Sequence, residues 1–157
     1  MDDGRKDMKT AHRIQSHAKR RWQADPFALW KVVANTTGFN DAEQVACTLP
    51  VRLVWQSIIT GDGTPDDLQS LADVVGICII ASQNMDALVQ ETCDAARIAV
   101  CAIADRYTRI KKIGVDSAAL RDVPPLLDFY EELLRLATGG QMAEWLHEVR
   151  KVKARVM

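Results

Sequence analysis

No stretch of this 157-residue sequence reaches the roughly twenty consecutive apolar residues that a membrane-crossing helix needs. The longest uncharged run, 74–85, falls short of that length and ends in Ser82, Gln83 and Asn84. The first 21 residues are charged throughout and lack the apolar centre of a secretory signal or an anchor, so a soluble cytoplasmic protein without membrane contact is expected. Cys47, Cys78, Cys93 and Cys101 form no C-x-x-C pair, and all four sit in apolar stretches. Buried free thiols in a reducing compartment are therefore expected rather than a disulfide framework or a zinc site. Histidine is scarce: His12 and His17 lie five apart, and His147 stands among charges near the end. With no cysteine or carboxylate at ligand spacing, the sequence predicts no metal.

Reaction chemistry is missing in the same way. No serine has a G-x-S-x-G context, and the segment Gly61-x-Gly63-Thr64-Pro65 lacks the lysine of a phosphate loop. Asp62, Asp66, Asp67 and Asp73 do not make the D-x-D-x-D-G pattern of a calcium loop, and Pro65 stiffens their middle. Neither a catalytic set nor a cofactor is expected. Strand-like alternation, repeats and low-complexity tracts are also absent, which leaves helices.

The apolar spacing defines those helices. Val89, Cys93, Ala96, Val100, Ile103, Tyr107 and Ile110 recur at steps of three and four, a single helical stripe that predicts a long helix over 85–113. Ile98, Cys101 and Ala102 are apolar on its other sides, so partner helices are expected all around it. Thr64-Pro65-Asp66-Asp67 reads as a helix start, with a threonine cap, proline in the first turn and acids at the positive end of the helix dipole. That helix is predicted over 65–82, with Leu68, Leu71, Ala72, Val75, Ile79 and Cys78 inward. Asn40 with Glu43 reads as a capping box for a helix to about residue 47. Pro50 then predicts a new start for a helix burying Val51, Val54, Trp55, Ile58 and Ile59. Gly114 is expected to cap the long helix. A short helix from Asp116 or Ser117 is predicted to break at Pro124-Pro125, with another from 125 to 137. Thr138-Gly139-Gly140 reads as a stop before a last helix, 141–156. In the N-terminal segment 22–39 a helix is predicted from Asp25-Pro26 until Asn35-Thr36-Thr37-Gly38 ends it. Together these predict an all-α antiparallel bundle of about six helices around the long one, in a single domain over 22–157 that follows a flexible basic arm over 1–21.

Charge is laid out unevenly. The first 21 residues hold seven Lys or Arg against three Asp, residues 22–105 three against eleven acidic residues, and residues 106–157 ten against seven. The basic arm, with Arg5, Lys6, Lys9, Arg13, Lys19, Arg20 and Arg21, could meet phosphates, and Trp22 could stack on a base. Together with the basic last helix this gives a nucleic-acid-associated reading, although a sequence pI near 6.3 argues against a dedicated DNA-binding fold. The favoured reading is a non-catalytic protein that acts by binding another protein. Asp62, Asp66 and Asp67 are its candidate contacts, through charge complementarity. Trp22, Trp30, Trp55 and Trp145 are numerous for a small bundle, and the sequence leaves homodimer and monomer open.

Several of these landmarks occur together in a known group. Asp25-Pro26-Phe27-Ala28, Ala42-Glu43-Gln44, Pro50-x-Arg52, Gly61-Asp62-Gly63-Thr64, Leu71-Ala72-Asp73, Gly114-Val115-Asp116 with Leu120, and Leu127-x-x-Tyr130 before Leu134 resemble, in order and spacing, small all-helical proteins of proteobacterial prophages and mobile elements. The resemblance covers about residues 22–141 and consists of caps, stops and core positions. In that group an aromatic often precedes the Gly-x-Asp segment, where this chain has Lys112-Ile113. The resemblance implies a phage or mobile-element setting and supplies no activity or site residue.

Overall fold

The computed structural model describes Phe27 and residues 38–156, with side chains through residue 152. Among these are five helices: α1 Asp41–Thr60, α2 Pro65–Ser82, α3 Ala87–Ile110, α4 Ser117–Leu136 and α5 Gly139–Val156. The one β-type contact among the described residues is an isolated bridge between Gly38 and Thr138. The expected arm over 1–21 lies outside the described residues, as does the helix predicted to start at Asp25-Pro26 and end before Gly38, apart from Phe27. Phe27 itself is buried in the core.

The helix starts follow their caps. Asn40 accepts from the Glu43 amide at 2.8 Å and donates its own amide to the Glu43 carboxylate at 3.2 Å. Thr64 and Asp67 make the same reciprocal pair, with Pro65 in the first turn, so α2 begins and ends where its sequence predicts. Thr138 turns out to be a third such cap. It exchanges hydrogen bonds with Gln141, and α5 therefore starts at Gly139, inside the predicted stop.

Two predicted breaks are absent. α1 runs straight through Pro50, and α4 runs through Pro124 and Pro125. A mid-helix proline costs a hydrogen bond and a ring clash, about 3 kcal/mol, so packing has to outweigh it. In α4 the buried residues Ala119, Val123, Leu126, Leu127, Tyr130, Leu133 and Leu134 keep helical phase across the pair, and a break would rotate half of them out of the core. The carbonyls that lose their donors belong to Leu120 and Arg121, both exposed, where water can replace the lost bond. In α1 the freed carbonyl is that of exposed Ala46, and Cys47 and Val51 stay on one buried face.

The centre of the bundle is α2, and this corrects the sequence expectation. α2 packs against each of the other four helices, whereas α3 packs chiefly against α2 and α4. Leu68, Leu71, Val74, Val75, Ile77 and Cys78 are buried, which distributes the apolar surface of α2 around most of its circumference. α3 buries the predicted stripe at Cys93, Ala96, Val100 and Ile103, but Ile98 and Cys101 face solvent and Ile110 is half exposed. It ends at Lys111, not at Gly114. Lys111 adopts the left-handed conformation (φ 56°), donates its amide to the Tyr107 carbonyl at 2.8 Å and lays its ammonium 5.5 Å from the Tyr107 ring centroid.

Candidate interaction surfaces

The sequence-predicted contacts divide into a buried group and exposed ones. Asp67 is buried, and its carboxylate accepts from the Thr64 amide at 2.9 Å, so it holds a helix start together and cannot face a partner. Asp62 and Asp66 are exposed. The basic residues from Arg5 to Arg21 and Trp22 lie outside the described residues. On α5, Lys151 is within 3.4 Å of Glu148, and Arg150 is 3.8 Å from Asp73, a nearly buried carboxylate that also accepts from Gln69. Arg150 and Lys151, two of the basic residues of that helix, are thus partnered within the protein. Trp55 is buried and Trp145 is packed against the core. Among the described residues no three His, Cys, Asp or Glu side chains gather where they could hold a metal ion. No helix among them is long and apolar enough to cross a membrane.

Three of the four cysteines are buried, and Cys101 is the exception to the expected pattern. Burial pushes the Cys78 thiol well up from its ordinary value. The Cys93 thiol is also raised, mainly by burial and against a hydrogen bond with Ser82. Neither thiol is set up as a nucleophile.

Two apolar surfaces remain that individual charged motifs did not reveal. The first is on α1. Its buried face carries Cys47, Val51, Val54, Trp55 and Ile58. On the opposite side, Val45, Leu49 and Leu53 follow one another at one residue per turn, exposed by 61%, 46% and 43%. Beside this stripe Arg52 is clamped to α4. Its Nε donates to Glu131 at 2.6 Å and its terminal nitrogen to Asp128 at 2.7 Å, and the Glu131 hydrogen bond is the main cause that raises the guanidinium pKa. Arg52 therefore fixes the stripe relative to α4. The sequence signal was present in the i, i+4, i+8 spacing of 45, 49 and 53, but the stronger run from Val51 to Ile58 masked it.

The second surface is a groove bounded by α2, α3 and α5. Val75, Ile79, Val100, Val149 and Val152 line it, and Arg97 and Cys101 stand among its lining residues. Gly76 is also there. A Cβ at Gly76 would lie 2.8 Å from both γ-carbons of Val149, so only glycine allows α5 to sit this close to α2. Exposed Ile98, one residue from Arg97, continues the apolar surface along α3.

These features define an all-α protein with apolar helix faces left unpartnered by its own described residues. No protein-family model, curated protein or solved structure matches the chain.

Proposed function

We propose that this chain is a non-catalytic interaction protein that acts by binding another protein, with the Val45–Leu49–Leu53 stripe as its docking face. The observation that carries this reading is that α1 is apolar on two opposite faces while the described residues cover only one. A helix that is apolar all round is normally buried all round, and burying a half-exposed Val or Leu contributes about 1 kcal/mol. A partner helix with its own apolar residue at each turn fits such a stripe. Asp41, one turn before Val45, and Asp128, beside Arg52, favour basic residues at the partner's rim. The proposed setting is a phage or mobile element, supported by the resemblance in caps and stops alone.

The test places a photo-crosslinking residue at position 49 in cells that express the protein naturally, with position 105 as the control, since Asp105 is exposed on α3. One discrete adduct from position 49 that is absent from position 105 and weakened by Leu53→Glu is the expected result. Adducts from position 105 alone would overturn the reading. An adduct only with a second copy of the chain would make the stripe a self-association seam.

A further inference from the structure

The groove between α2, α3 and α5 is a different surface from the α1 stripe and carries a separate conclusion. Its volume is about 350 Å3, inside the range of about 300–1,000 Å3 typical of small-ligand sites. Val75, Ile79, Val100, Val149 and Val152 make its walls aliphatic, and Gly76 brings backbone into its lining. Arg97 is the one charged residue that lines it among the described side chains. Its side chain is half exposed, and Asp94 takes only its Nε, at 3.3 Å, in a solvent-facing pair three residues apart. Such a pair holds its partners weakly. The guanidinium has five N–H donors, so its outer edge remains available for the two oxygens of a carboxylate.

We infer that this groove is a binding site for an aliphatic monocarboxylate, with the hydrocarbon chain along the valine and isoleucine walls and the carboxylate on Arg97. A volume near the lower end of the small-ligand range suits a medium-length alkyl chain. A neutral hydrocarbon leaves the guanidinium unused. An alkylamine sets a like charge against it, and among the described residues no carboxylate lines the groove to receive the ammonium. Charge and shape together therefore select an acid.

The test titrates the full chain calorimetrically with octanoate, decanoate and dodecanoate below their micelle concentrations, with decylamine and decanol as controls. Saturable 1:1 binding of decanoate is expected, with octanoate weaker by about fifteenfold, since each methylene contributes about fourfold. Decylamine should bind at least about tenfold more weakly than decanoate. Arg97→Gln, at an exposed position, should weaken decanoate about tenfold and leave decanol unchanged. Cys101→Trp, also exposed, should fill the groove and abolish binding of every ligand while the far-UV circular dichroism stays native. Absence of saturable decanoate binding overturns the site. Equal binding of acid, amine and alcohol, indifference to Arg97→Gln or persistence in Cys101→Trp each overturns it too.

Discussion

Gly76 of α2 faces Val149 of α5 at a distance that leaves no room for a methyl group: an added Cβ would come within 2.8 Å of both valine γ-carbons. Gly76→Ala therefore has to push α5 outward, and overpacking of this kind costs about 1–3 kcal/mol. Val149→Ala in the same chain makes the room again, so the double variant should be less destabilised than the sum of the single ones. Urea unfolding of the four species measures the coupling. Simple additivity would mean that α5 does not rest on α2 at this point.

Arg52 ties α1 to α4 through two carboxylates, yet its side chain is about a third exposed. Arg52→Met should cost only about 1 kcal/mol, and raising the salt concentration should narrow the gap between variant and parent. Melting temperatures at low and high ionic strength check this. A loss of several kcal/mol would show that Glu131 depends on Arg52 far more than its exposure suggests.

Asp116 caps α4 by accepting from the Ala119 amide at 2.9 Å, and Arg106 stands 3.4 Å away. The cap hydrogen bond is the main cause that holds its carboxyl below the ordinary value of 3.8, with the Arg106 charge adding to it. A depressed folded-state pKa contributes stability above the unfolded value and loses it as pH falls through the folded one. Asp116→Asn keeps a capping oxygen and removes the charge. The parent should therefore be more stable than this variant at neutral pH, and the difference should fade below about pH 4. Thermal melts from about pH 7 to about pH 2 follow the change. A difference that grows with acid would contradict the assignment.

Thiol reactivity should separate the cysteines cleanly. Cys101 is exposed, whereas Cys47, Cys78 and Cys93 are buried, and burial raises the Cys78 and Cys93 thiols away from the reactive thiolate. A disulfide reagent should label one thiol in the native protein and all four in denaturant. Rapid native labelling of more than one thiol would mean that the core opens easily.

Pro125 sits inside α4 with its ring exposed, and its missing N–H leaves the Arg121 carbonyl without a helical donor. Pro125→Ala restores the donor, and the gain is offset in part by the greater freedom of the unfolded chain. A net stabilisation of about 1 kcal/mol or more is expected in denaturant titrations. Destabilisation would show that the ring itself packs usefully.

The prolines separate the local determinants of this fold from the non-local ones. Caps were legible because each is a local exchange between residues three apart: Asn40 with Glu43, and Thr64 with Asp67, stand in the structure as their spacing predicts. Thr138 with Gln141 has the same chemistry, but the two glycines between them suggested a stop. Breaks at Pro50 and Pro124 were predicted from local cost alone. They are overridden by burial of residues far apart in sequence, which local reading does not weigh. The choice of central helix failed for a related reason. Apolar character on every side of 85–113 was legible, but whether neighbours cover those sides depends on the tertiary arrangement, and here Ile98 and Cys101 are left out. Arg97 and Gly76 carried no motif. Only the approach of α5 to α2 and α3 turns an ordinary arginine and an ordinary glycine into parts of one groove.

Because α2 touches all four of its neighbours, its loss removes a packing partner from every other described helix and leaves chiefly the α3–α4 and α1–α4 contacts. Unfolding should then proceed as one concerted event, with no stable half-molecule along the way. The amides of Val74, Ile77 and Cys78, fully buried residues at the middle of α2, become the slowest clock in the protein: they exchange with solvent deuterium only when the whole bundle opens, so their rate reads the global stability directly.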